Sequence, residues 1–353
     1  MLTASTAAGG TDHGRPRAAR RASAVTFLLD LNLTLAISLA FALAAGAPGR
    51  PAAAQAWPQR QITLIVPFPP GGSTDVVARI MAEHMRPRLG QPVIIENVGG
   101  AGGTIGLGRV ARAVPDGYTI DIGQWDTHVG GVIYALNYDL ETDFEPIGLL
   151  SINPQLMVAR RTLPVDDLTG LAVYMKANPG KVTLVNQLAA AQLAGQLMHD
   201  LTGARFQLIP YRGAGPAVTD LLAGQVDVMV SQAAVVLPNI RAGTIKALAN
   251  LSPRRSPAIP DIPAAGESGV PGLVASGWFG LFAPRGTPPE VVAQLGAAMV
   301  ESLADADVRA RFADLGLDIA AAEQQTPRGL AAFHRAEIER WWPVLKSAGF
   351  KAD

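Results

Sequence analysis

Gly71, Gly72, Ser73, Thr74 and Asp75 follow an apolar run at 62–68, with Pro69 and Pro70 between, and lead directly into a segment of helical period. Residues of these types at such a junction bring bare main-chain N–H groups and hydroxyls to a helix start, where about half a positive charge accumulates. The chemistry on offer is anion binding without a cationic side chain. Three further stretches repeat the arrangement: 99–104, 186–190 beginning at Asn186, and Gly213-Ala214-Gly215-Pro216. Any protein that alternates strands and helices contains such turns, so no single one is specific. Their presence in both halves of the chain argues for one shared ligand.

Other chemistries fit less well. The stretch 106–111 satisfies G-x-G-x-x-A, but a dinucleotide fingerprint follows its strand directly, and Gly106 lies well beyond the strand that ends near Asn97. The stretch 266–270, Gly-Glu-Ser-Gly-Val, has its second glycine one place early for a nucleophile elbow. Asp126 and His128 could act as orienter and base with Ser73 as nucleophile, yet positions two apart in a loop more often diverge, and no oxyanion donor is identifiable. The five histidines lack metal-ligand spacing and cysteine is absent, so neither a metal site nor a cofactor is expected.

The elements that position these residues alternate in type. Apolar runs at 62–68, 92–97 and 117–124 read as strands, with helical periodicity between them, and this rhythm predicts a parallel sheet covered by helices on both faces. A second series begins after the stretch 153–161, with strands at 182–187, 206–213 and 226–231. The chain returns through the apolar stretch 276–284 and closes with helical segments at 287–305 and 326–348. Two α/β lobes joined by more than one crossing are expected: 57–158 plus 275–353, and 159–274.

Residues 1–56 differ from the rest. Arg15, Arg17, Arg20 and Arg21 precede the apolar run 31–46, and Ala54-Gln55-Ala56 follows, as in a cleavable export signal. The run is shorter than the roughly 20 residues a spanning helix needs. With 29 basic and 29 acidic residues the whole chain is neutral, and no concentrated basic surface points to a nucleic acid.

The motifs "WPQRQITLIVPFPPGGSTDVVARI", "VIIENVGGAGGTIG", "PDGYTI", "YDLETDFEPIGLL", "PYRGAGPAVTDLLAGQVDVM" and "APRGTP" occur in that order from about Trp57 onward. Together they resemble the Bug-type, TctC-like solute-binding proteins of tripartite tricarboxylate transporters. The resemblance implies a two-lobed periplasmic-binding-protein fold of type II, each lobe a mostly parallel sheet flanked by helices. It also implies a monomeric periplasmic receptor that closes on a small carboxylated solute, a di-, tri- or aromatic carboxylate, and delivers it to membrane permease subunits. Carried over by position, the carboxylate clasp falls on Phe68, Gly71, Gly72, Ser73, Thr74 and Asp75, and a second loop on Trp125, Asp126, Thr127 and His128. In the other lobe, Ala189 stands where the family usually has serine, Gln192 where it has histidine, and Ser231 where an acid is common. These departures disfavour an amino-acid ligand and favour a less polar carboxylate, aromatic ones included. A secreted hydrolase on the same lobes and a sensor that presents its closed form to a receptor are the alternatives.

Overall fold

The computed structural model describes residues 57–211 and 213–347; the expected export signal at 1–56 lies outside the described residues. In chain order the elements begin β1 (Ile62–Val66), α1 (Ser73–Leu89), β2 (Val93–Asn97), α2 (Thr104–Ala111), β3 (Thr119–Gln124), a single turn α3 (Trp125–His128) and β4 (Phe144–Asn153). They continue β5 (Gln155–Arg160), α4 (Leu168–Ala177), β6 (Thr183–Asn186), α5 (Ala189–Thr202), β7 (Gln207–Pro210), α6 (Ala214–Leu222), β8 (Val228–Gln232), α7 (Ala233–Arg241) and β9 (Ile245–Asn250). They end with β10 (Gly277–Pro284), α8 (Pro289–Ala304), α9 (Ala306–Asp314), β11 (Asp318–Ile319) and α10 (Pro327–Ser347). Among the described residues no helix is long and apolar enough to cross a membrane.

The fold is α/β with two lobes. One sheet has the order β11-β4-β10-β3-β1-β2 and the other β7-β6-β8-β5-β9. Parallel pairing holds where the sequence alternates strand and helix, between β1 and both β2 and β3, and between β6 and both β7 and β8. The strands that link the lobes pair antiparallel, β10 with β3 and β4, and β5 with β8 and β9. The physical reason is directional. A strand arriving from the other lobe starts at the cleft, so it runs opposite to strands that end there.

The first passage between sheets falls at Pro154, between β4 and β5, a few residues ahead of the position 158 read from sequence. One proline joins two buried strands there, and no change of composition marks it. The second passage runs through 251–276.

Helix α1 shows how the local sequence sets the site. Gly72 is extended at its N-cap, with φ −78 and ψ 169, and Asp75 sits in the positive first turn. Val77, Ile80, Met81, Met85 and Leu89 recur at helical spacing and bury against the sheet with α8. Gly90 ends the helix at φ 68, and its N–H donates to the Arg86 carbonyl at 3.0 Å.

Candidate functional site

A cavity of about 510 Å³ lies where the cleft ends of the two sheets face each other. One wall is the loop after β1 together with the start of α1, from Phe68 to Thr74. The opposite wall is built from Gln187 and Leu188, the start of α5, the start of α6 and the end of β8. Among the described residues no charged side chain lines it. Its polar groups are main-chain amides at helix starts, the hydroxyls of Ser73, Thr74 and Ser231, and the amides of Gln124, Gln155, Gln187 and Gln232.

Six of the residues expected from sequence reach this cavity: Phe68, Gly71, Gly72, Ser73, Thr74 and Ser231. Asp75 stands behind it. Its carboxylate takes the Gly71 N–H at 3.0 Å, Asn97 Nδ2 at 3.0 Å, and both Arg79 Nε at 2.9 Å and Nη2 at 3.0 Å. Burial works to raise the Asp75 pKa, but the hydrogen bonds from Arg79, Gly71 and Asn97 outweigh it and hold the carboxyl below its ordinary value. Asp75 therefore braces the loop and keeps its charge turned from the cavity.

Trp125, Asp126, Thr127 and His128 do not line the cavity. They form α3, a turn closed by a capping box in which Thr127 Oγ1 accepts the Gln124 N–H at 3.2 Å. The turn buries its side chains, because α10 packs over it. Trp341 meets Trp125 edge to face at 6.1 Å, Trp342 Nε1 donates to the Val129 carbonyl at 3.1 Å, and His334 Nε2 lies 2.9 Å from the His128 carbonyl.

Asp126 and His128 diverge, so they make no base-orienter pair. His128 is stacked on Phe282 at 4.1 Å, its Nε2 3.7 Å from Asp121 on β3. Burial drives the His128 pKa well down and the Asp121 pKa well up, so it disfavours the charged form of both groups. Asp126 Oδ1 instead accepts the main-chain N–H of Ala190 at 3.0 Å, across the cleft at the start of α5. Burial pushes the Asp126 carboxyl up to about 6, against the pull of that N–H.

Asn186 and Ala189 also lie outside the lining. The Asn186 carbonyl accepts the Tyr211 N–H at 2.9 Å, which extends the pairing of β6 with β7. Ala189 packs so closely on Gly130 that a Cβ added to Gly130 would come within 2.8 Å of the Ala189 Cβ. Its neighbours Ala190 and Ala191 face the cavity instead. The second glycine loop also serves packing. Gly103, at φ 96, would place a Cβ 2.7 Å from Thr127 Cγ2, so only glycine lets this loop close against Pro67 and α3.

The four glutamines were missed by the sequence reading. Gln124 and Gln232 end β3 and β8, Gln155 opens β5, and Gln187 follows β6, all at cleft ends of strands. That position is the signal that could have found them. Gln232 Nε2 donates to Gln124 Oε1 at 2.7 Å, and the Ser73 hydroxyl donates to Gln232 Oε1, so one side chain of the second lobe bridges two groups of the first. Gln187 Nε2 donates to the Val230 carbonyl at 3.2 Å, while its Oε1 is buried without a partner among the described residues.

The family described as the tripartite tricarboxylate transporter family receptor matches residues 77–350. Protein BugT of Bordetella pertussis is 38% identical over 328 residues, which are 92% of this chain and 99% of that protein. The structure of the periplasmic binding protein BugD superposes with a TM-score of 0.77 at 39% identity, over 84% of this chain and 100% of that one. The structure of MatC from Rhodopseudomonas palustris with bound malate gives 0.76 at 39% identity, over 82% of this chain and 100% of that one. With two lobes and this likeness along the chain, the protein belongs to the tripartite tricarboxylate transporter receptor family, whose members are solute-binding receptors and not enzymes.

Proposed function

We propose that the protein binds a small carboxylated solute in the cleft and delivers it, in the periplasm, to the membrane subunits of a tripartite transporter. The observation that carries the reading is the uncharged cavity wall from Gly71 to Thr74, where the start of α1 presents main-chain N–H groups and the Thr74 hydroxyl, the Ser73 hydroxyl being given to Gln232. The likeness to MatC, whose structure holds malate, supports the same ligand class.

A carboxylate seated there is held by Gly72, Ser73 and Thr74. Hydrogen bonds to a charged group contribute about 1.5–3 kcal/mol each, and a partly buried helix start adds up to about 2 kcal/mol. A few such contacts exceed the association cost of roughly 4 kcal/mol or more without an arginine clamp. Closure brings Gln232 onto Ser73 and Gln124, so the closed form gains contacts that a membrane partner can distinguish.

Thermal-shift screening of the purified protein against mono-, di- and aromatic carboxylates tests the reading, because a ligand bound only by the native state raises the unfolding midpoint. A rise with at least one acid, absent with the matching amide, is the expected result. Equal response to acid and amide would remove the case for a carboxylate seat.

A further inference from the structure

A dicarboxylate that spans the cavity needs a second anion seat on the wall opposite α1. The start of α5 faces the cavity there, through Leu188, Ala190 and Ala191, and its N-cap Leu188 provides no side-chain cap. That terminus is already served from within. Asp126, contributed by the other lobe and only 3% exposed, holds the Ala190 N–H. A helix start satisfied by a buried carboxylate has lost a donor and gained a negative charge beside the cavity. The other helix start on this wall, α6, leaves Gly215 and Pro216 exposed, and Pro216 has no N–H, so an anion there stays hydrated and gains little.

Among the described residues, what remains on this side is neutral: the amides of Gln187 and Gln232, the Ser231 hydroxyl, and the apolar side chains of Leu188 and Val235. On the carboxylate-binding reading above, we propose that Asp126 is a specificity-determining residue. It makes the protein a receptor for monocarboxylates whose far end is neutral, in preference to dicarboxylates of the same length. The ligand's single carboxylate lies at the start of α1, and its body meets the glutamine and apolar wall.

Isothermal titration of the purified protein with matched pairs, hexanoate against adipate and benzoate against terephthalate, tests this. The wild-type protein is expected to bind the monoacid of a pair at least tenfold more tightly than the diacid. In Asp126→Asn, the side-chain oxygen still accepts the Ala190 N–H while the charge is gone, and the ratio is expected to fall at least threefold. A structural role alone would not move that ratio. Equal wild-type affinity for both members of a pair, or a ratio unchanged in Asp126→Asn, overturns the assignment. Should the Asn variant fail to fold, the wild-type ratio decides. Failure of every acid to bind overturns the carboxylate reading itself, and the proposal with it.

Discussion

Two helix starts face the same cavity with opposite local chemistry. At α1 the acid of the first turn, Asp75, is drawn backwards by Arg79, Asn97 and the Gly71 N–H, which leaves the start of the helix open to the cavity. At α5 no acid lies in the first turn, and Asp126 comes from the other lobe to cover it. On the proposed reading, the difference teaches that a helix start is free to take an anion only where the protein's own carboxylates are held elsewhere.

The severest way to break this comparison is to remove the brace. Asp75→Ala strips the partner from Gly71, Asn97 and Arg79 at once, and should cost about 3 kcal/mol of stability. It should also weaken carboxylate binding more than tenfold, since the loop loses its anchor. Denaturant unfolding and titration read both effects, and a wild-type midpoint would mean that the loop is held by other contacts.

The other helix start is sharpened by pH. Burial raises the Asp126 carboxyl from 3.8 to about 6, so the folded protein holds that proton more tightly than the unfolded chain does. The resulting stability is complete below pH 4 and is lost as pH rises through 6. Asp126→Asn should therefore match wild type near pH 4 and melt higher at pH 7, by at most about 3 kcal/mol. Parallel melting curves across that range would place the Asp126 charge in water.

Smaller effects concern the bridge between the lobes. Gln232→Ala removes the contact to both Ser73 and Gln124 and should lower ligand affinity roughly tenfold, with less compaction on binding seen by small-angle scattering. Ser73→Ala keeps the bond between Gln232 and Gln124 and should lose only about threefold to tenfold. If the order of these two losses were reversed, the hydroxyl would matter through the ligand more than through closure.

Much of the fold was readable along the chain because the signals are local. Strand and helix periods, Gly90 as a stop and the proline-glycine loop before Ser73 each act within a few residues. The antiparallel strands were not readable in this way. The direction of β5 and β10 follows from where the chain enters a sheet, which no neighbouring residue encodes. Half of the site was legible for the same reason: 68–74 carries its own turn chemistry, whereas Gln155 and Leu315 meet the cavity from distant elements.

Asp126 and His128 mark the boundary most clearly. Their two-residue spacing in a loop suggested divergence, and the residues themselves suggested a ligand contact or a catalytic pair. Only the packing of α10 over α3 decided that His128 turns inward toward Asp121 and Asp126 crosses to Ala190. Sequence alone determined the alternation of elements, the family and the glycine-rich helix start that reaches the cavity, because each is written in adjacent residues. Tertiary structure decided which helix start stays open, because that depends on a carboxylate 64 positions away from the N–H it meets.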